Sequence, residues 1–348
     1  MKRFLVFLLV IAMTVMIFVS CAAPEPSPSP TPTPKATPEQ TPIPTTEPVP
    51  TPTPRPEDMS YTTGLQYKGE YKPVMVVIEN SPAARPQTGL QTADVVYEVP
   101  VDGGVTRFVC VFSDNVPEGV MPVRSGRVSF LYIQQEWNTP FMHFGGSGSG
   151  NSNAPDFTFY GNKLHGDIKI DVDGLKGKWS DYYYRVKGIG APHNVMGNPL
   201  EVQKLYDYTP TPLKWEFDSN VTYPGADVTE IKLGMSTKYD DFTSYTYDAA
   251  QDVYLRFMKG KEFKSKETDK QVAVKNIIVQ YSTYEQIDVY KVWKMTGSGN
   301  ADFYIGGKLV KGTWSKESPT SQTLYCDDKG APIVLHPGNT WIHLDTEG

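Results

Sequence analysis

A proline-rich tract near the N-terminus limits the fold of this chain more than any other sequence feature. Residues 22–57 hold 14 of the chain's 30 prolines, many in Thr-Pro and Ser-Pro pairs, and few apolar residues. Each proline fixes φ and removes a backbone donor. The tract therefore predicts an extended polyproline II stalk over residues 21–60, which at about 3.1 Å per residue reaches roughly 100 Å. The stalk is a plain spacer or a tether that reaches into the cell wall.

The segment before the tract has the composition of an export signal. Lys2 and Arg3 precede an apolar run of 16 residues, 4–19, and the small residue Ser20 precedes Cys21. The run is shorter than the roughly 20 residues that span a bilayer. We expect a signal peptide over residues 1–20, with an uncleaved anchor as the alternative.

The end of that signal resembles a lipobox, in which the cysteine after a small residue receives lipid. The matching residues are Val19-Ser20-Cys21, with Phe18 where the pattern prefers leucine. The sequence therefore predicts lipidation at Cys21 and an extracytoplasmic chain anchored to the outer face of the cell membrane.

The remaining part, about 290 residues, is longer than one core usually organises, so we expect two domains. The Thr209–Pro212 repeat of Thr-Pro places the border between residues 61–208 and 209–348. The fold class predicted is mixed α+β: a layered α/β N-terminal domain with a mixed sheet, then a mostly β meander domain.

In the first domain, three runs of β-branched and aromatic residues predict strands at Lys72–Glu79, Ala93–Val101 and Val105–Ser113. Asp102–Gly104 reads as a hairpin turn, and the spacing of apolar residues predicts a helix over Arg127–Trp137. A second short helix is predicted at Leu200–Tyr206. In the second domain the predicted strands are Thr229–Gly234, Ser244–Tyr247, Val253–Met258, Gln271–Tyr284, Val289–Met295, Ala301–Ile305, Lys308–Trp314, Thr323–Cys326, Pro332–Leu335 and Thr340–Leu344.

Charge and motifs exclude several function classes. The net charge of −6 and the lack of a basic tract argue against nucleic acid as a partner. The sequence has no zinc-ligand spacing and no nucleotide or nucleophile-elbow motif, so no metal site is predicted and the cofactor is unknown. Cys110 and Cys326 are expected as buried free thiols, with a disulfide as the alternative. The tryptophans of the second domain fill the core or stack on sugars; they are Trp215, Trp293, Trp314 and Trp341.

Polar residues within or beside the apolar strands are the candidates for function. They are Asn80, Arg85, Asp94, Glu98, Arg107, Arg124, Arg127 and His143. In one interpretation they form internal ion pairs, such as Asp94 or Glu98 with Arg107. In the other, the arginines converge on an anionic ligand while Asp94 or Glu98 holds a metal ion or acts as a base.

Loops supply the other candidates. His143 opens onto a glycine-rich segment, 145–162, that contains Ser147 and reads as a binding loop or a plain surface loop. His193 and Asn194 lie in a turn bounded by proline and glycine. We expect the two histidines to act in acid-base or ligand-binding chemistry or to be structural. His165, His336 and His343 have no group of candidate functional residues around them in the sequence.

Several of these segments resemble the YerB-like lipoproteins, which consist of the DUF3048 N-terminal and C-terminal domains. The similar motifs are Arg85-Pro86-Gln87, Ala93–Glu98, Gly103–Phe108, Pro122–Arg127, His143–Ser147, Ala191–Asn194, Lys275–Tyr281, Gly297–Gly299, Gly312–Trp314 and Pro337–Ile342. The resemblance covers residues 72–344 and implies a layered α/β domain followed by a mostly β domain. It implies no activity.

A looser similarity concerns the LytR-CpsA-Psr enzymes, which transfer glycopolymers from polyprenyl pyrophosphate carriers to peptidoglycan. The order of Arg85, Asp94 and Arg124 resembles that of their pyrophosphate-binding residues. The sequence thus leads to two hypotheses. The first is an envelope protein that binds a ligand or partner, such as a cell-wall glycan or an envelope protein. The alternative is an envelope enzyme that acts on an anionic glycan or a polyprenyl-pyrophosphate-linked substrate.

Overall fold

The computed structural model describes residues 55–148, 171–205, 207–234 and 242–346. Residues 54–348 form one compact unit. The predicted signal peptide, Cys21, most of the predicted stalk, most of the glycine-rich segment and His165 lie outside the described residues. The folded part begins before residue 61, because Ser60 is buried and its hydroxyl donates to Asp114 at 2.8 Å.

The described residues are mostly strands. In chain order these are β1 (Val74–Glu79), β2 (Val95–Pro100), β3 (Thr106–Phe112), β4 (Phe141–His143), β5 (Asp171–Asp173), β6 (Tyr183–Arg185), β7 (Val195–Gly197), β8 (Glu216–Phe217), β9 (Ala226–Asp227), β10 (Glu230–Leu233), β11 (Thr243–Asp248), β12 (Val253–Met258), β13 (Lys261–Glu262), β14 (Ala273–Val274), β15 (Asn276–Tyr281), β16 (Tyr284–Ile287), β17 (Tyr290–Trp293), β18 (Gly297–Ile305), β19 (Lys308–Lys316), β20 (Leu324–Asp327), β21 (Val334–Leu335) and β22 (Thr340–Asp345). The α-helices of the described residues are α1 (Val128–Trp137) and α2 (Pro199–Leu205). No helix among the described residues is long and apolar enough to cross a membrane.

Eleven of these strands form one mixed sheet, in the order β20-β19-β18-β15-β22-β2-β3-β1-β4-β5, with β9 beside β19. The pairs β15/β22, β22/β2, β1/β4 and β4/β5 are parallel, and the other pairs in this sheet are antiparallel. Strand β22, at the C-terminus, joins the two halves of the sheet by pairing with both β15 and β2.

The central strands are apolar along their length because both faces of the sheet are covered. All residues of β1, β2 and β3 are buried. On β1, Val76 and Ile78 belong to the core cluster on one face, and Met75 and Val77 belong to the cluster on the other. This alternation is the period of two that a strand imposes.

Different elements cover the two faces. The five-stranded sheet of β10 to β14 contributes Ile231, Tyr245 and Tyr254 to one core cluster. Helix α1 contributes Phe130 and Trp137 to the cluster on the other face. The large sheet is therefore covered by the second sheet on one face and by helix α1 on the other.

The prediction of a mixed α+β fold is confirmed in its coarse form, and the layered α/β description of the N-terminal half is wrong. Among the described residues of that half there are seven strands, β1 to β7, and two α-helices, of which α1 is the longer. The simple meander expected for the C-terminal half is also wrong, since β22 and β15 pair in parallel. A domain border near residue 209 stays a proposal; the segments on either side of it supply strands to one sheet.

Local predictions were more accurate. Strands β1, β2 and β3, the turn at Asp102–Gly104, helix α1 and helix α2 lie within a few residues of their predicted bounds. The predicted strand at Gln271–Tyr284 is instead divided between β14, β15 and the start of β16. Pattern alone missed this division because the whole segment is rich in β-branched residues.

The tryptophans of the second predicted domain lie in the core or pack against it, whereas the two cysteines differ in burial. Trp293, Trp314 and Trp341 are buried, and Trp215 packs against one core cluster while partly exposed. Both thiols are free, as expected. Cys110 is buried, but Cys326 is only half-buried, which corrects the prediction that both would be inaccessible.

Candidate functional site

Several of the predicted polar residues line one open cleft beside β1 and β3. Glu79 ends β1 and lies opposite Arg107 on β3. Arg124 is held beside β1 because its amide donates to the Val77 carbonyl at 3.0 Å. The cleft has a volume of about 350 Å³, and its lining also includes His193. We call it the arginine cleft.

Arg107 is the most unusual residue of the cleft. Its side chain is buried, yet among the described residues no carboxylate oxygen lies within 4.0 Å of its guanidinium nitrogens. Its Nη1 donates a hydrogen bond to the Ser125 carbonyl at 2.6 Å. Burial, and then the charge of Arg127, hold the pKa of Arg107 well below its usual value.

Glu79 is already occupied by neighbours. Its Oε2 lies 3.3 Å from Nε of Arg124 and 2.9 Å from Nδ1 of His193, and its Oε1 accepts a hydrogen bond from Ser81 at 2.7 Å. Glu79 therefore orients Arg124 and His193 toward the cleft. Its charge is shared between them, which leaves little to compensate Arg107.

Asp102 is likewise occupied. Its Oδ1 accepts a hydrogen bond from Nε of Arg127 at 2.5 Å. Burial opposes ionisation, but the hydrogen bond and charge of Arg127 outweigh it, so the pKa of Asp102 is lowered. Arg127 also donates to the Gly126 carbonyl at 2.9 Å, and its guanidinium lies 5.3 Å from the centre of the Tyr290 ring.

The charges near Arg107 do not balance. The neighbouring groups that shift its pKa are Arg127, Asp102, Arg124 and Glu79, which gives three cations against two carboxylates in all. Arginine forks bind planar or tetrahedral oxyanions through paired hydrogen bonds. The cleft is therefore suited to an anion such as a phosphate or a carboxylate.

The expected pairing of Asp94 or Glu98 with Arg107 is wrong. Glu98 Oε2 instead lies 2.9 Å from Nη2 of Arg256 and 3.2 Å from Nδ1 of His343, and all three side chains are fully buried. Burial opposes ionisation, but Arg256 and then His343 outweigh it and lower the pKa of Glu98 to about 2. This pairing joins strands from both halves of the sequence. The expectation that His343 has no functional group around it is therefore wrong.

Arg85 is connected to that buried group through Asn80. Arg85 donates from Nε to the Asn80 side chain at 3.0 Å and from Nη2 to the Asn80 carbonyl at 2.6 Å. The Asn80 amide then donates to Glu98 Oε1 at 3.0 Å. Arg85 does not line the arginine cleft, although Ser81 and Pro82, which follow Asn80, do.

Asp94 lies apart from the arginines. Its Oδ2 accepts hydrogen bonds from the hydroxyl of Thr62 and from the amides of Ser113 and Asp114, each at 2.9 Å. Burial and then the charge of Asp114 raise the pKa of Asp94 to about 7, despite these donors. Its observed role is to fasten the first folded residues to the end of β3.

His143 and Ser147 do not line the cleft either. His143 is buried on β4, with Nε2 at 2.5 Å from Asp171 and Nδ1 at 2.8 Å from the Gly145 carbonyl. Lys176 binds the other oxygen of Asp171 at 2.5 Å. Ser147 is buried, and its amide donates to the Gly126 carbonyl at 3.2 Å. These contacts favour the structural interpretation of His143.

Asn194 supports the loop that carries His193. Its side chain accepts a hydrogen bond from Arg185 at 2.7 Å and donates to the Ile189 carbonyl at 3.0 Å. The expectation that His336 has no functional group around it is also wrong. Its Nδ1 lies 2.9 Å from Oδ2 of Asp252.

Sequence reasoning missed the acidic side of the cleft. Glu79 and Asp102 occupy a strand end and a turn, where acidic residues are common and carry no signal of their own. A usable signal was the single charge that ends the apolar run of β1. The described residues contain no group of three or more His, Cys, Asp or Glu side chains placed to hold a metal ion.

Models of two known protein domains match most of the folded part of this chain. Residues 62–211 match the N-terminal domain, and residues 231–342 the C-terminal domain, of a protein of unknown function, DUF3048. The chain belongs to the DUF3048 family. It is 28% identical over 293 residues to the "Putative lipoprotein YerB" of Bacillus subtilis, covering 79% of this chain and 81% of the relative.

A solved structure of the YerB protein from Bacillus subtilis shares the fold. The TM-score is 0.67 at 25% sequence identity, and the match covers 83% of this chain and 97% of that protein. The similarity therefore extends over both DUF3048 domains.

Proposed function

We propose that this DUF3048 protein is a lipid-anchored protein of the cell envelope whose folded part binds an anionic ligand in the arginine cleft. The anchor is supported by the sequence of residues 1–21 and by the name of the Bacillus subtilis relative. In this proposal, lipid on Cys21 holds the chain at the outer face of the membrane, and the proline-rich tract tethers the folded part to it.

The observation that carries the ligand proposal is the buried guanidinium of Arg107. A buried cation without a close carboxylate is costly, and an anionic ligand in the arginine cleft would supply the missing counter-charge. Arg124, whose side chain is 24% exposed, presents a second guanidinium to the same cleft. Two guanidinium groups at one opening favour a ligand with several anionic oxygens, such as a phosphate ester, a pyrophosphate or a carboxylated sugar.

Calorimetric titration of the full chain in detergent with pyrophosphate tests the proposal. Each charge-assisted hydrogen bond contributes about 1.5–3 kcal/mol, so Arg124→Gln is expected to weaken binding by about tenfold to a hundredfold. The matched control is Lys329→Gln, because Lys329 is exposed in the turn after β20 and forms no ion pair among the described residues. Equal affinities for the wild type and Arg124→Gln would show that pyrophosphate does not bind in the arginine cleft, provided that circular dichroism shows the variant to be folded.

A further inference from the structure

Three of the eight exposed large apolar side chains of the described residues lie in one short stretch of the chain, which ends just before His193. Leu175, Tyr184 and Ile189 are 65%, 60% and 38% exposed. They lie within residues 175–192, which follow β5 and contain β6; we call these residues the hairpin surface. Single exposed apolar residues are ordinary, whereas a group of them is typical of an interaction surface.

The hairpin surface is firmly held at its base. Tyr183 is buried, and its hydroxyl donates to the Val172 carbonyl at 2.5 Å. Because successive strand residues point to opposite faces, burial of Tyr183 directs Tyr184 outward. Beyond the hairpin tip, His193 contacts Glu79 in the cleft. The exposed side chains thus project from a fixed support.

The charge of the hairpin surface is opposite to that of the chain. Residues 175–192 hold four basic residues and one acidic residue, Asp181, whereas the whole chain has a net charge of −6. The basic residues are Lys176, Lys178, Arg185 and Lys187. Lys176 is partly neutralised by Asp171, but Lys178 and Lys187 are exposed and form no ion pair with another described residue.

We infer that the hairpin surface docks on an anionic lipid bilayer. Exposed aliphatic and aromatic side chains enter the interfacial region, and lysines around them attract anionic headgroups. Tyrosine suits this region because its ring is apolar and its hydroxyl remains hydrated. The inference rests on the lipid anchor of the proposed function, which keeps the bilayer near, and not on a ligand in the arginine cleft.

An anionic glycan is the main competing partner for this surface. Tyr184 and the lysines would suit a charged sugar chain, but exposed Leu175 and Ile189 gain little from contact with a hydrated polymer. A bilayer interface uses all of these side chains. The observations therefore favour the lipid surface.

Vesicle co-sedimentation tests the inference with the chain from residue 21 onward carrying Cys21→Ser, so that no acyl chain is present. Vesicles of phosphatidylglycerol and phosphatidylcholine are compared with vesicles of phosphatidylcholine alone. We expect binding only to the anionic vesicles and a loss of binding as salt rises. Lys187→Gln is expected to lower the partition coefficient about fivefold. Leu175→Ser combined with Tyr184→Ser is expected to lower it about tenfold or more.

Matched controls come from the opposite edge of the central sheet. Leu324 on β20 is 53% exposed, and Lys329 is exposed in the turn that follows, so Leu324→Ser and Lys329→Gln should leave vesicle binding unchanged. Absence of binding to anionic vesicles, or equal losses in the control variants, would overturn the inference. Binding of oligogalacturonate that depends on Tyr184, without vesicle binding, would assign the surface to a glycan instead. Pyrophosphate calorimetry on the same variants reports on the cleft separately.

Discussion

Replacing Arg107 with methionine removes a buried cation while keeping an unbranched side chain of similar volume. Among the described residues, no carboxylate lies within 4.0 Å of that cation, and its pKa is lowered by burial and by Arg127. Without a ligand, the charge should therefore cost folding free energy. We predict that Arg107→Met stabilises the unliganded protein and abolishes pyrophosphate binding.

The magnitude follows from two opposing contributions. Replacing a buried charge with an apolar side chain of similar volume stabilises proteins by about 1–4 kcal/mol where the charge is poorly compensated. Loss of the hydrogen bond to the Ser125 carbonyl costs about 1 kcal/mol. Arg127 Nη1 lies 3.4 Å from the same carbonyl oxygen, so that oxygen keeps one hydrogen-bond donor after Arg107 is replaced. The net expectation is a stabilisation of about 1–2 kcal/mol, or a rise in Tm of roughly 2–4 °C for a chain of this size.

The assay is thermal unfolding by circular dichroism, with and without pyrophosphate. Pyrophosphate should raise the Tm of the wild type, because a ligand that binds only the native state stabilises it, and should leave the Tm of Arg107→Met unchanged. Lys329→Gln serves as the control, because it removes one exposed positive charge far from the cleft. A Tm lowered by several degrees in Arg107→Met would refute the reasoning, because it would show that the guanidinium is compensated within the protein.

Three other predictions concern the buried charges and the anchor. Glu98→Gln should destabilise the fold by about 3–5 kcal/mol in urea unfolding, since Arg256 loses its buried partner, and Glu98→Gln with Arg256→Met should recover part of this; a single-variant loss below about 1 kcal/mol would contradict the assignment. The pKa of Asp94 is raised to about 7, so its contribution to stability is present below its ordinary pKa near 3.8 and is lost as pH rises through about 7. Asp94→Asn should remove this loss in unfolding measured across that range, and an unchanged profile would show that Asp94 is ionised throughout. Cys21→Ser should abolish metabolic labelling of the full chain with a radioactive fatty acid, and retained labelling would place the lipid elsewhere.

Local signals predicted much of the secondary structure because they act over neighbouring residues. The runs that became β1, β2 and β3 are apolar on both faces, which a covered strand requires. The layered α/β description failed because one face of the large sheet is covered by a second sheet, from residues 230–274, whose alternating strands give no sign of where they pack.

The candidate site was predicted in part for the same reason. Arg107, Arg124 and His193 were identified as polar groups in unusual settings, and the structure brings them to one cleft. Their partners could not be assigned, because an ion pair depends on which strands become neighbours. Glu98 has Arg256 as its partner, 158 positions away, and no local pattern reports that distance.

The most direct test of the central claim is a crystal structure of the protein soaked with pyrophosphate. We expect phosphate oxygens within hydrogen-bonding distance of both Arg107 and Arg124, with the pair of Glu79 and His193 at the rim of the arginine cleft. An arginine cleft that stays without pyrophosphate at concentrations that saturate the calorimetric titration, or a pyrophosphate bound elsewhere on the chain, would contradict it.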